Sequence, residues 1–261
     1  MQHKKIILAE IITNSEITPD HFLMQIKSSW LAQNSIAGQF VAVKVQENTT
    51  DPLLRIPLAI HSINKDGISL LYKVVGNATK ILCSKRPQQI INILGPLGNG
   101  FDVNKNKQAV LVAGGYAVSP LYALAQTLVN KNNQVTVFIG AYSKQQILCE
   151  EKFTDLGGQV HIATEDGSQG YKGYVTELLK KHIGKLKNLS NVVMYAAGPL
   201  PMLNALVKAN KRSIPTQLAL ESYMACGIGV CRGCVIPTSK GYKLCCKDGP
   251  VFDAKIIEPL L

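Results

Sequence analysis

Ala109-Val110-Leu111-Val112-Ala113-Gly114-Gly115-Tyr116-Ala117-Val118-Ser119-Pro120 sets a short apolar run, a pair of glycines and a helix start in immediate succession. An apolar run this short, closed by glycine, reads as a buried strand rather than a helix. Ser119 is suited to cap the helix that follows and Pro120 to occupy its first position, so a helix is expected over Pro120 to Val129. Downstream the pattern recurs: strand Val135 to Gly140, strand Val160 to Thr164, helix Tyr174 to Leu186, strand Asn191 to Ala196, helix Pro201 to Asn210 and strand Gln217 to Leu220. Alternation at this rhythm means a parallel, doubly wound α/β sheet whose ligand crevice lies at the carboxyl ends of the strands. Gly114-Gly115, Thr164-Glu165-Asp166-Gly167-Ser168 and Ala197-Gly198-Pro199 all emerge at that edge. Each is ordinary punctuation alone; together they make a candidate dinucleotide site. Backbone N–H groups at the start of the helix would cradle a pyrophosphate, and glycine would let it approach closely. Glu165-Asp166 would accept ribose hydroxyls, although Asp166-Gly167 reads equally as a turn.

Upstream, residues 4–101 read as short strands with no helical period. Lys5 to Ile12, His21 to Ile26, Gln39 to Gln46, Ile68 to Val75 and Gln89 to Leu94 are strand-like. Turn residues such as Thr18-Pro19-Asp20, Asp51-Pro52 and Gly95-Pro96-Leu97-Gly98-Asn99-Gly100 punctuate them, which predicts a small antiparallel β-barrel. Trp30, the one tryptophan, is assigned to packing.

The C-terminal stretch carries the most specific chemistry. Cys226, Cys231 and Cys234 follow a C-x4-C-x2-C spacing, with a further thiol at Cys245 or Cys246. That order fits a plant-type [2Fe–2S] cradle, and Gly227, Gly229 and Gly233 let the loop fold tightly with N–H groups turned toward sulfur. A zinc knuckle is the competing reading. It favours separated C-x2-C pairs or Cys/His mixtures, and no histidine lies between Cys226 and the C-terminus. Spacing alone leaves the fourth ligand open between Cys245 and Cys246; an extended Tyr242 to Cys246 would turn only one of them to the metal. Cys83 and Cys149 are read as core residues.

A chain of 261 residues with 46% hydrophobic composition has material for two modest domains and an appendage. The expected division is 1–104 barrel, 105–215 α/β sheet and 216–261 cluster lobe. Seven cysteines, four of them clustered, suit a reducing compartment. No window approaches the about 18 uninterrupted apolar residues of a membrane span, and Met1-Gln2-His3-Lys4-Lys5 leads into a strand without a cleavage signal, so a cytoplasmic, soluble protein is expected. The net charge of +11 divides as +3, +7 and +1 over those three segments. Lys180, Lys181, Lys185 and Lys187 gather at one helix end, where a solvated face is the plain reading. Aromatic residues are not interleaved with the basic ones, which argues against a nucleic-acid partner.

A barrel, then a dinucleotide sheet, then a plant-type cluster loop resembles the ferredoxin-reductase-like electron-transfer subunit of the two-subunit, NAD-linked class B dihydroorotate dehydrogenase. The likeness runs along almost the whole chain. It is carried by Gly95-Pro96-Leu97-Gly98-Asn99-Gly100-Phe101, Ala163-Thr164-Glu165-Asp166-Gly167-Ser168, Gly198-Pro199-Leu200-Pro201-Met202, Leu220-Glu221-Ser222-Tyr223-Met224-Ala225-Cys226-Gly227-Ile228-Gly229 and Cys246-Lys247-Asp248-Gly249-Pro250-Val251-Phe252. The last of these places the fourth ligand at Cys246. The resemblance implies an FAD in the barrel, at Arg55, Pro57, Leu58, Leu71, Tyr72, Lys73, Ala78 and Thr79, with the Tyr72 ring available for stacking. It implies NAD at Gly114, Gly115, Asp166, Gly198 and Pro199.

It also implies an FMN-bearing catalytic partner that oxidises dihydroorotate, in a heterotetramer of two of each subunit, so that no substrate base is needed in this chain. The sequence departs from the family at Ile56, where arginine is usual, at Ala59, and at Ala78. Ala113 and Ala117 replace glycines around Tyr116, and these side chains are expected to narrow the pyrophosphate approach. Two further readings stand beside the first: a related reductase subunit serving a different partner, and a non-catalytic stabilising subunit with eroded flavin and NAD sites.

Overall fold

The computed structural model describes residues 4–47, 51–185, 189–210 and 214–257. Leu186 and Lys187, which entered the reading of the helix from Tyr174 and its basic end, lie outside the described residues. The chain forms two compact units: Met1–Gly100 with Glu221–Ile236 and Tyr242–Val251, and Phe101–Leu220 with Pro237–Gly241 and Phe252–Leu261.

The first unit is built on six strands: β1 (Lys5–Thr18), β2 (His21–Lys27), β3 (Phe40–Lys44), β4 (Ile56–Asn64), β5 (Gly67–Lys73) and β6 (Ile90–Leu97). They close into a barrel in the order β1-β2-β5-β4-β3-β6. Closure leaves no open edge, and it works because β1 serves two neighbours: Lys5–Glu10 pairs with β6 and Glu10–Thr18 with β2. Ala9, Ile11, Met24, Ile26, Val41, Val43, Ile68, Leu70, Ile91 and Ile93 alternate along their strands into one buried interior.

Two short helices complete the unit. In α1 (Ser29–Asn34) the Ser28 hydroxyl accepts the Leu31 N–H at 3.3 Å, an N-cap. Trp30 packs against the barrel interior, as expected of a packing residue, with the Lys5 ammonium 5.1 Å from its ring centre. The other helix is α2 (Asn77–Cys83), and its last carbonyls are gathered by Asn14. The Asn14 amide donates to Leu82 O and Lys85 O, both at 3.0 Å.

The second unit carries β7 (Gln108–Gly114), α3 (Ser119–Asn130), β8 (Gln134–Ala141), α4 (Glu150–Asp155), β9 (Gln159–Thr164), β10 (Tyr171–Lys172), α5 (Val175–Lys185), β11 (Val192–Ala197), α6 (Leu200–Ala209) and β12 (Thr216–Ala219). Ser119 is not the cap of α3. A 3-10 turn over Gly115–Val118 leads straight into the helix, Val118 holds the cap position, and Ser119 is already helical and buried. Cys83 and Cys149 are half-buried: Cys83, at the end of α2, packs against the barrel core, and Cys149 stands just before α4.

The tail adds a hairpin of β13 (Val235–Ile236) and β14 (Lys243–Leu244), a helical turn α7 (Cys245–Asp248), and β15 (Val251–Asp253). The last strand joins the sheet, giving the order β10-β9-β8-β7-β11-β12-β15. β7 pairs in parallel with both β8 and β11, so chain order reverses there and the topological switch point lies at its carboxyl end. Among the described residues no helix is long and apolar enough to cross a membrane.

Candidate functional site

Glycine makes the cysteine loop possible. Gly227 and Gly229 take φ of +68° and +85°, values that side-chain-bearing residues avoid, and Arg232 follows at +58°. These reversals aim amides at sulfur. Cys226 Sγ accepts the N–H of Ile228 at 3.5 Å and of Cys231 at 3.4 Å, and Cys231 Sγ accepts that of Gly233 at 3.5 Å. Burial alone would raise the Cys226 thiol. The N–H groups of Cys231 and Ile228 outweigh it and bring the thiol down to about 6. This loop is therefore built to hold negative sulfur.

The distal thiols sit deeper. Cys234, Cys245 and Cys246 are buried, and the Cys246 N–H donates to Cys234 Sγ at 3.4 Å while the Cys245 N–H donates to the Cys234 carbonyl at 2.8 Å. Cys245 and Cys246 lie in α7, not in an extended segment. Their side chains still diverge, by the helical step between neighbours. Burial pushes both thiols up to about 12.

Backbone N–H groups thus link Cys231 to the Cys226 sulfur and Cys246 to the Cys234 sulfur, two pairs. Two pairs suit a binuclear cluster, whose irons each take two thiolates, and the inward N–H groups suit its electron-rich sulfides. Among the described residues no group of three or more His, Cys, Asp or Glu side chains is arranged to hold a metal ion.

At the switch point of the sheet, the turns after β7 and β11 meet. Neither Gly114 nor Gly198 has a left-handed φ, so space is what demands glycine here. A Cβ on Gly114 would stand 2.8 Å from both Met202 Sδ and Pro199 Cδ; one on Gly198 would stand 2.3 Å from Met202 Cε. The Met202 thioether fills that gap. Gly115, at φ +57°, is the glycine that opens to free space. Of the residues expected to narrow the pyrophosphate approach, Ala113 and Ala117 are buried and Tyr116 is exposed.

Asp166 stands at the end of β9, where its Oδ1 accepts both the N–H and the hydroxyl of Ser168 at 2.9 and 2.6 Å. Those bonds from Ser168 hold the carboxyl below its ordinary range and shape the turn.

The barrel residues are placed less simply. Arg55 is committed to the barrel wall: its guanidinium donates to Asn92 Oδ1 at 2.7 Å, Asn92 O at 3.1 Å and Ala42 O at 3.4 Å. Pro57, Leu58 and Lys73 are half-buried, and Leu71 is buried. Ala78 packs against the barrel interior, and the Thr79 hydroxyl accepts the N–H groups of Val75 and Gly76 at 2.9 and 3.1 Å. Gly76 faces open space. Tyr72 departs from expectation. Its ring is 1% exposed, stacks on Phe22 at 5.8 Å and donates its hydroxyl to Asn14 at 2.9 Å, so it has no face for a ligand. Tyr72→Phe should cost about 1 kcal/mol of stability, the usual worth of such a bond, and leave flavin content unchanged. Thermal melts beside flavin release would show it. A lost flavin would restore the stacking role.

Half-buried apolar Pro57 and Leu58 and the open backbone at Gly76 each suit one part of a flavin's mixed polarity. Sequence reading missed Met202, which was quoted within a motif without a role, and Asn14 and Asn92, whose partners lie far away in the chain.

A closed barrel, a sheet with a dinucleotide crevice and a paired-thiolate loop define an electron-transfer reductase of the ferredoxin-reductase type. The family model for the iron-sulfur cluster binding domain of dihydroorotate dehydrogenase B matches residues 221–258, and that for the oxidoreductase NAD-binding domain matches 111–208. The chain belongs to the family of electron transfer subunits of dihydroorotate dehydrogenase B (NAD(+)). Its relative in Desulforamulus reducens is 36% identical, over 95% of this chain and 96% of that protein. The relative in Bacillus pumilus is 40% identical, over 94% and 95%. Among solved structures, an NADH-dependent reduced ferredoxin-NADP oxidoreductase studied for flavin-based electron bifurcation superposes with a TM-score of 0.85 at 28% identity, covering 97% of this chain and 90% of that one. A ferredoxin NADP+ reductase from Neisseria gonorrhoeae shares the fold, with a TM-score of 0.67 at 14% identity over 78% of this chain and 90% of that one.

Proposed function

We propose that this chain passes electrons from a dihydroorotate-oxidising, FMN-bearing partner subunit to NAD+, by way of a [2Fe–2S] cluster and an FAD, in pyrimidine biosynthesis. Family membership along nearly the whole chain carries the reading. When bound, the cluster exchanges single electrons, nicotinamide a hydride, and the flavin converts between the two. Cys226, Cys231, Cys234 and Cys246 hold the cluster, the last because the family-like ending Cys246-Lys247-Asp248-Gly249-Pro250 starts with it and its N–H meets the Cys234 sulfur. Gly115 offers open backbone to the pyrophosphate, Gly114, Gly198 and Pro199 shape the crevice, and Asp166 faces the ribose. Pro57, Leu58, Leu71, Lys73, Ala78 and Thr79 line the flavin side. Segments 1–104, 105–215 and 216–261 divide these tasks, in a cytoplasmic assembly of two copies of each subunit.

The partner docks over the cluster. Tyr223, Val230 and Tyr242 are 98%, 76% and 81% exposed on the cysteine-bearing segments, an apolar and aromatic set of the kind that anchors interfaces. Tyr223→Ala with Tyr242→Ala should weaken the complex by at least about tenfold, as hot-spot truncations do. Analytical ultracentrifugation of the mixed subunits measures it, and unchanged affinity would move the docking face elsewhere.

Co-expression with the catalytic subunit tests the whole reading. The complex should contain iron, acid-labile sulfide, FAD and FMN, and dihydroorotate should reduce NAD+ through it. A complex that forms but carries neither iron nor FAD would favour the stabilising-subunit reading, to which the engaged Arg55 already lends some weight.

A further inference from the structure

The loop that leaves the barrel after β6 reaches the far side of the cluster ligands. Asn99, in that loop, makes three hydrogen bonds to a single turn of the tail. Its side-chain amide donates to Lys247 O at 3.2 Å and Asp248 O at 2.9 Å, and its backbone N–H donates to Gly249 O at 2.6 Å. These carbonyls close α7, the turn on which Cys246 is carried. A helical turn leaves its last carbonyls without partners, and here one asparagine supplies them.

The other end of α7 is fixed as well. The Leu244 N–H donates to Asp248 Oδ2 at 2.7 Å, and the Cys245 N–H to Cys234 O at 2.8 Å. Gly98, at φ +73°, brings the loop this close: a Cβ there would stand 2.5 Å from Pro250 Cδ and 2.8 Å from Gly249 O. Its carbonyl is held in turn by the buried Gln39 amide at 2.8 Å. Leu97, one residue earlier, lies beneath Gly227 of the proximal loop, 3.4 Å from where its Cβ would be. One end of β6 thus underlies both ligand-bearing segments.

We propose that Asn99 is a positioning residue for the cluster: by clamping the 247–249 carbonyls it fixes where the Cys246 sulfur stands relative to the other three ligands. It touches no iron and donates to no sulfur. It acts through the backbone on which the fourth ligand rides. The inference rests on the cluster reading, with Cys246 as a ligand.

Asn99 is solvent-exposed, so Asn99→Ala opens no cavity and should leave the fold intact. Asn99→Asp is the sharper variant, since it keeps size and shape but presents oxygen, not a second N–H donor, to the carbonyls. Both variants, prepared anaerobically, should melt cooperatively near the wild-type temperature. Both should bleach at least about tenfold faster under a ferrous chelator, the scale on which outer-shell partners tune metal sites. The electron paramagnetic resonance of the reduced cluster should shift or broaden.

Wild-type bleaching rates and spectra in Asn99→Asp would overturn the proposal. So would loss of cooperative melting in both variants, which would assign Asn99 to barrel folding instead. Wild-type protein without iron and labile sulfide is a different failure, that of the cluster reading itself.

Discussion

Cys226→Ser is expected to yield a folded protein without visible cluster absorbance and without electron flow from the partner subunit to NAD+. The serine hydroxyl is a harder and far less acidic ligand than thiol, and iron–sulfur clusters select soft thiolate. Position matters as much as chemistry. The Cys226 sulfur collects two backbone N–H groups and rests at about 6, so it is the best-prepared ligand of the loop. Oxygen in its place would leave those amides without the charge they are oriented to meet. NADH should still reduce the flavin in this variant, because that half of the path does not involve the cluster. Cys245→Ser is the matched control: the family-like ending starts at Cys246, whose N–H meets the Cys234 sulfur, so the cluster should persist without the Cys245 thiol. Iron and labile-sulfide assay with visible spectra decides both. A coloured, active Cys226→Ser variant, or a colourless Cys245→Ser variant, would require a different ligand set.

The cysteine spacing was legible because a cluster imposes its geometry on neighbours in sequence: three ligands lie within nine residues, and the glycines between them answer to local φ. The α/β alternation was legible for a similar reason, since buried parallel strands are continuous apolar runs. Ile56–Asn64 was not recognised as a strand. It contains Pro57, which argues against a strand interior, yet in the closed barrel Pro57 is tolerated opposite Ala42. The helices α1 and α2, at 6 and 7 residues, are too short to show a period. What holds α2 is Asn14, more than 60 residues away, and no local pattern announces such a contact. Ser119 misled because serine followed by proline is a common cap. Here the preceding glycine-led 3-10 turn starts the helix early. The Tyr72 ring misled because a motif carries the residue but not the direction of its side chain, which the barrel register turns inward against Phe22.

Gly114→Val should break the opposite half of the path, with NADH-dependent flavin reduction falling by about 100-fold, the penalty associated with a misplacement of roughly 1 Å. Two neighbours of the missing Cβ differ in how they can respond. Met202 ends in a flexible thioether that can swing aside, but Pro199 is a ring in the turn after β11 and cannot. Valine must therefore drive the turn after β7 away from the turn after β11, and both belong to the crevice at the switch point. Gly115, which offers its backbone to open space, would move with it. Overpacking of this kind costs about 1–3 kcal/mol, so the variant should still fold. Its cluster and flavin should form normally, and dithionite should reduce both as in the wild type. Stopped-flow reduction by NADH isolates the defect, and a wild-type rate in Gly114→Val would mean that the dinucleotide binds away from these glycine turns. Cys226→Ser and Gly114→Val thus silence different ends of one path, and mixing the two variant proteins should restore no activity, because cluster and crevice have to serve within the same chain.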